Sequence, residues 1–265
     1  MQNAALAVLG LGEEWSYEAI EVAPEEFEAR VRAMPDEGFA GANVTVPHKL
    51  AALALADAAS EMAREIGAAN TLVFAAGGIQ AHNTDAAGLI AALPGSPRGQ
   101  RALVLGAGGA ARAAVWALGA AGAGVDIWNR TPARAESVRI EVSEHAEDLQ
   151  IEVEVGTVEV ETRGDPAAAL DQSVYGLIVN TTAVGLGGED PFAHLPLHRD
   201  GFGPGQVVVD MVYGDTPSSL LSAAAGAGAA IVDGIEVLVQ QGALSLQLWT
   251  GREPPLDAMR AAARS

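Results

Sequence analysis

The chain has 265 residues, room for one large domain or two ordinary ones, and 49% of them are hydrophobic. Acidic residues number 34 against 15 basic ones, a formal charge of -19, which offers no basic face for nucleic acid but leaves a local site for a small anion open. With no cysteine there is no disulfide framework, thiolate chemistry or thiolate-held zinc; no HExxH, signal pattern or membrane-length apolar run is present, so no metal is expected and the cytoplasm is the expected compartment.

In chain order, "EWSYEAIEV" (14–22) alternates weakly and predicts a strand. "PEEFEARVRAM" (24–34) places Pro at the first helical position with acids in the first turn, and predicts a helix. "FAGANVTV" (39–46) predicts a strand stopped by Pro47, and 49–66 is helical by period, in two pieces. "ANTLVF" (69–74) and "IQAHN" (79–83) flank a Gly-Gly turn and predict two short strands, followed by a helix over 84–92. "LPGSPRGQ" (93–100) reads as a linker. After it come a buried strand, a Gly-rich turn, an Ala-rich helix and a second strand, then strands at 176–180, 206–210 and 229–233 with helical segments between. That alternation predicts a parallel sheet covered on both faces. The tail (235–251, then 256–264) breaks the alternation as two helices that can return to the first domain.

Two places carry chemistry. The first is the turn after "ALVL". Gly106 permits a tight turn, Gly108 lets backbone approach a pyrophosphate, and Ala111 is small enough for helix–strand contact. The strand–turn–helix–strand order around it predicts a dinucleotide site. An NAD site ends the second strand in an acid that holds the ribose hydroxyls. This strand ends instead in Asn129, Arg130 and Thr131, with Arg134 a turn later, a set suited to the 2′-phosphate of NADP. A solvated helix start bearing ordinary surface arginines is the alternative.

The second place is Lys49, the only lysine in a chain whose other basic side chains are all arginine. It follows Pro47 and His48 at a strand end, where it supplies a positive field and a transferable proton. Asp85 sits at another strand-to-helix junction. If the strands ending near 46 and 83 are neighbours, the two side chains face each other and can polarise a hydroxyl or carbonyl. Locally, Asp85 reads equally well as a helix cap.

"NVTVPHK" (43–49), "GAANTLV" (67–73), "NTDAAG" (83–88), "GAGGAARA" (106–113), "NRTPARA" (129–135), "DMVY" (210–213) and "DGIEVLVQQGA" (233–243), seven fragments in order, together resemble the shikimate dehydrogenase family. The resemblance implies an α/β protein with an N-terminal substrate domain over 1–95. A Rossmann-type NADP domain over 96–233 and C-terminal helices over 234–265 packing on the first domain would complete it. It implies NADP-dependent, reversible reduction of 3-dehydroshikimate to shikimate, a step of aromatic amino-acid biosynthesis. Lys49 and Asp85 match the family's catalytic pair; Thr45, Asn70, Tyr213 and Gln241 match substrate contacts. Gly106, Ala107, Gly108, Gly109, Ala110, Asn129, Arg130, Thr131, Arg134, Met211 and Gly234 match cofactor contacts. A quinate- or shikimate-type polyol dehydrogenase and a non-catalytic NADP-binding protein are the alternatives.

Two departures from the family pattern stand out. The family begins with a strand, a Gly-rich turn and a Ser-x-Ser-Pro-x-x-His-Asn segment whose serines bind the substrate carboxylate. Here the chain starts "MQNAALAVLGLG", with Asn3 matching the last residue of that segment. Weak substrate anchoring and low kcat/KM with normal NADPH binding are therefore expected, as is a sheet edge that invites a second copy into a homodimer. The other departure is 137–164, where "IEVEVGTVEVE" predicts an interrupted helix and an inserted acidic hairpin turning at Gly-Thr, peripheral to chemistry.

Overall fold

The structure is a computed structural model describing residues 1–148, 155–158, 170–214 and 217–265. It divides into two compact units, Met1–Ala91 with Leu238–Ser265, and Ala92–Val237.

The first unit contains α1 (Gln2–Val8), α2 (Phe27–Ala33), β1 (Gly41–Asn43), α3 (Lys49–Leu55), β2 (Ala58–Ala59), α4 (Glu61–Ile66), β3 (Thr71–Ala75), β4 (Gly78–His82) and α5 (Asp85–Ala92). Its mixed sheet runs β1-β3-β4-β2. Phe27, Val31, Val44, Ala52, Leu72 and Ile79 form its core. The helical stretch predicted over 49–66 is indeed two helices, separated by β2. Ser60 caps α4, its hydroxyl accepting from the Ala63 N–H, and left-handed Gly67 ends that helix.

The strand predicted over 14–22 does not form; residues 15–23 belong to no helix or strand. Its alternation has another cause. Asn3 clamps the Tyr17 backbone from both sides, donating to its carbonyl at 2.9 Å and accepting from its N–H at 2.7 Å. Those bonds take backbone groups that a ladder would need. The strand predicted over 39–46 is confined to Gly41–Asn43.

The second unit contains β5 (Arg101–Leu105), α6 (Gly109–Ala120), β6 (Gly124–Trp128), α7 (Pro132–Asp148), β7 (Val155–Thr157), β8 (Leu177–Asn180), β9 (Val207–Asp210), α8 (Ser219–Gly226) and β10 (Ala230–Asp233). Its sheet is parallel throughout, in the order β10-β9-β8-β5-β6-β7. The order reverses beside β5, whose partners are β6 and β8. Such a switch point is where open α/β sheets hold ligands, outside the strand C-termini. Strand β8 is buried along its length, which explains its continuous apolar run. The tail forms α9 (Gly234–Thr250) and α10 (Leu256–Ala263); from Leu238 onward it belongs to the first unit, where α10 packs on α1.

The reading of 137–164 is corrected in its described part. Helix α7 continues without interruption to Asp148. Gly156 and Thr157 form no hairpin turn; they lie inside β7, which pairs parallel with Val125–Ile127 of β6. An alternating strand at the edge of a parallel sheet has the same period of two as a hairpin arm. Gly156 is there because a Cβ would fall 2.6 Å from the Asp126 carboxylate. The rest of the predicted hairpin, 149–154 and 159–164, lies outside the described residues. Among the described residues no helix is long and apolar enough to cross a membrane.

Candidate active site

The strands ending near 46 and 83 are not neighbours, as the sequence reading required; β3 lies between them. The registers nevertheless align Asn43 with Thr71 and Thr71 with His82. Because β3 runs antiparallel to both, its start sits between the ends of β1 and β4. Asn70 and the N-termini of α3 and α5 therefore gather at one edge.

Lys49 opens α3 and its Nζ lies 2.7 Å from Asp85 Oδ2, with side chains 12% and 8% exposed. Asp85 does not cap its helix. Asn83 does, its Oδ1 accepting from the Asp85 and Ala86 N–H groups. That frees the Asp85 carboxylate, whose Oδ1 accepts from Asn70 Nδ2 at 2.8 Å.

Asn70 is held in a single orientation. Its Oδ1 accepts from the Thr84 backbone N–H at 2.7 Å, a group that can only donate. Its Nδ2 therefore faces Asp85, and also Gln241 Oε1 at 3.0 Å. Gln241 arrives on α9, which approaches α5 closely at Gly88: a Cβ there would fall 2.7 Å from the Gln241 backbone. With its carbonyl tied to Asn70, Gln241 gives one Nε2 hydrogen to the Leu238 carbonyl at 3.0 Å and keeps one to offer. Lys49 likewise has hydrogens beyond the one given to Asp85.

Thr45 is exposed in the turn before α3, its carbonyl accepting from the His48 N–H at 2.9 Å. Sequence reasoning missed the polar layer behind these groups: Asn43, Thr71, Thr84 and Ser245. Ser245 is fully buried and lies one helical turn from Gln241 on α9, so the i, i+4 rule was the available signal.

In the second unit, Gly106 has φ +121° and a Cβ would fall 2.5 Å from Thr181 Oγ1. Gly108 caps α6 without a side chain, and a Cβ there would meet nothing within 4 Å. The first turn of α6, with Gly109 and Ala110, thus opens onto free space beyond Ala107, as an anion cradle requires. Asn129 Nδ2 donates to the Thr131 carbonyl at 2.9 Å. Arg130, Thr131 and Arg134 are exposed, and neither arginine has a side-chain partner among the described residues. The contrast is Arg112, buried and paired with Glu141. The residues present fit NADP. Gly106→Ala is expected to cost about 1–3 kcal/mol of stability and to weaken NADP binding while leaving the Lys49–Asp85 unit folded. Urea melts and cofactor titration check it; an unchanged melt removes the steric argument.

Met211 follows β9, and Gly234 opens α9 beside it, with no room for a Cβ against the Met211 carbonyl. Tyr213 is 53% exposed in this second unit. Asp210, the last residue of β9, is fully buried. It accepts from Asn180 Nδ2 at 2.9 Å, Ser218 Oγ at 2.5 Å and the Val212 N–H at 3.1 Å. Burial raises its pKa above the ordinary 3.8, against the pull of those donors. A raised acid binds more protons folded than unfolded, so its contribution to stability falls as pH rises from about 3.8 through the folded value. Asp210→Asn preserves the acceptor for Asn180 and Val212 and is expected to remove that part of the pH dependence. Denaturant midpoints of both proteins across pH 3–8 test this; parallel curves would refute it.

The shikimate dehydrogenase substrate-binding domain model matches residues 1–72, and the shikimate 5'-dehydrogenase C-terminal domain model matches 234–264. A shikimate dehydrogenase (NADP(+)) of Anaeromyxobacter sp. (strain Fw109-5) is 45% identical, over 99% of this chain and 89% of the relative. One from Acidiphilium cryptum (strain JF-5) is 41% identical over 93% and 83%. The crystal structure of shikimate 5-dehydrogenase from Thermus thermophilus in complex with NADP(H) and shikimate superposes with a TM-score of 0.82 at 37% identity, covering 99% of this chain and 92% of that one. With relatives this similar over nearly their whole length, the chain belongs to the shikimate dehydrogenase family.

Proposed function

We propose that the protein is an NADP-dependent shikimate dehydrogenase, reducing the 3-keto group of 3-dehydroshikimate reversibly to shikimate. The observation that carries this reading is the Lys49–Asp85 pair, with Asn70 fixing the second carboxylate oxygen. NADPH, when bound, supplies the hydride. Lys49 donates a hydrogen bond to the ketone oxygen, stabilises the charge that grows there and delivers the proton that completes the alcohol. Asp85 holds the Lys49 ammonium and accepts from a substrate hydroxyl. Gln241 donates its remaining amide hydrogen to substrate, and Thr45 and Tyr213 add the contacts the family pattern gives them. The turn 106–110 would hold the cofactor's pyrophosphate, Asn129, Arg130, Thr131 and Arg134 would hold its 2′-phosphate, and Met211 and Gly234 would line its nicotinamide side.

The reading extends to the cytoplasm, supported by the cysteine-free composition, and to a homodimer, the expectation drawn from an open sheet edge and checked by light scattering in solution. The deciding assay follows NADPH oxidation with 3-dehydroshikimate, and NADP+ reduction with shikimate and quinate. Turnover with the shikimate pair is expected. Preference for quinate would reassign the substrate, and cofactor binding without turnover would make the chain a binding protein.

A further inference from the structure

Behind Asp85 lies a run of buried polar groups that no step above uses. Ser245 Oγ is its centre, with Asn43 Nδ2 at 2.8 Å, Thr71 Oγ1 at 2.8 Å, Thr84 Oγ1 at 3.2 Å and the Gln241 carbonyl at 3.1 Å. A single hydroxyl can donate once, so the direction of these bonds is set by its neighbours.

The fixed donor at Asn43 and the fixed acceptor at Asn70 give the run a direction in which Ser245 offers its one hydrogen to Thr71 in place of the Gln241 carbonyl. The Asn43 amide nitrogen can only donate, and its Oδ1 accepts from the Tyr17 hydroxyl at 3.2 Å. At the other end, Asn70 Oδ1 can only accept, and takes the Thr71 hydroxyl hydrogen at 3.1 Å. Thr71 has then spent its proton and accepts from Ser245 at 2.8 Å and directly from Asn43 Nδ2 at 3.2 Å. Asn70 Nδ2 passes the polarity on to Asp85 Oδ1 at 2.8 Å, a carboxylate oxygen that only accepts.

From this we infer that Ser245 is a positioning residue for the reaction, the central joint of a hydrogen-bond network from Tyr17 through Asn43, Ser245, Thr71 and Asn70 to Asp85, in which Asn43 also reaches Thr71 directly. The chain occupies Oδ1 from behind and leaves Oδ2 for Lys49, so that the carboxylate cannot turn. Donors and acceptors in series polarise one another, and a break in the middle is felt at the end. Thr71 and Ser245 are fully buried, so no bulk water replaces a missing partner. Tyr17, at 37% exposed, is the outer end of the chain, and its ring lies against Trp249 with centroids 6.2 Å apart.

The inference rests on the shikimate dehydrogenase reading, and turnover by the unaltered protein tests that reading first. With turnover in hand, kcat, both KM values and thermal midpoints are measured for Ser245→Ala, Ser245→Thr, Tyr17→Phe and the Ser245→Ala/Tyr17→Phe double variant. Ser245→Ala is expected to lose about tenfold in kcat, the scale of one net hydrogen bond, with KM for NADP unchanged. Ser245→Thr, which retains the oxygen, should recover most of it. Tyr17→Phe keeps the ring and should lose less than Ser245→Ala. The double variant should lose less than the sum of the two single losses, because both changes act through Asn43 and Thr71. A lowered thermal midpoint with kcat per folded enzyme unchanged would overturn the inference, as would fully additive losses. If Ser245→Ala does not fold, Tyr17→Phe decides alone: a lowered kcat at unchanged stability supports the chain, and an unchanged kcat refutes it.

Discussion

Lys49→Ala is expected to lose about 10²–10³ in kcat, or roughly 2.7–4 kcal/mol of transition-state stabilisation. The side chain is 12% exposed and its Nζ sits 2.7 Å from Asp85, so its charge acts in a partly dry setting. Removing it takes away the donor at the developing alkoxide and the source of the proton. It also leaves Asp85 buried with Asn70 as its neutral partner, and stripping one member from a buried ion pair can cost about 3–5 kcal/mol of stability. Thermal midpoints must therefore accompany the rates. Lys49→Arg separates charge from proton transfer. A guanidinium preserves the positive field but does not release a proton near neutral pH, and its planar fork does not fit the position of a single ammonium. Little rescue is expected. A Lys49→Ala enzyme turning over at the parental rate, or a fully active Lys49→Arg, would remove the proton-donor role.

The strand, turn and helix of the second unit's glycine-rich segment were legible in the sequence because their signals are local. A buried strand, Gly106, Gly108 and the start of α6 lie within a dozen positions, and backbone geometry alone dictates those residue types. The Lys49–Asp85 meeting was legible as chemistry but not as topology. The expected neighbour strands are separated by β3, and what joins the pair is the register of a third strand that no spacing in the sequence encodes. The polar layer was invisible for a related reason. Asn43, Thr71 and Ser245 are ordinary residues at ordinary positions until α9 returns to the first unit. The two misread stretches share one cause. Alternation over 14–22 and 151–161 has the period of a strand, but period does not say what the backbone bonds to. At Tyr17 it bonds to the Asn3 side chain, and at Gly156 it belongs to a parallel edge.

An Arg130→Ala/Arg134→Ala double variant should lose about 10²–10⁴ in affinity for NADP and almost nothing for NAD. Both guanidiniums are exposed and without side-chain partners among the described residues, whereas Arg112 and Arg139 are paired with Glu141 and Glu136. Free arginines on a chain of formal charge -19 stand out, since acidic partners are abundant. Each forms charge-assisted hydrogen bonds to the 2′-phosphate, worth roughly 1.5–3 kcal/mol apiece. NAD has a hydroxyl at that position and gains nothing from them. The parental preference should also weaken with added salt, because exposed charges are screened beyond about 10 Å at 0.1 M. Asn129→Asp in the same background should push selectivity further. An acid at the end of β6 accepts from the ribose hydroxyls of NAD and repels the phosphate of NADP. Fluorescence titration with NADPH and NADH at two ionic strengths measures all of this. Equal losses for the two cofactors would mean that the arginines support the fold of the β6–α7 turn rather than the phosphate, and parental NADH binding as tight as NADPH would remove the selectivity argument at its root.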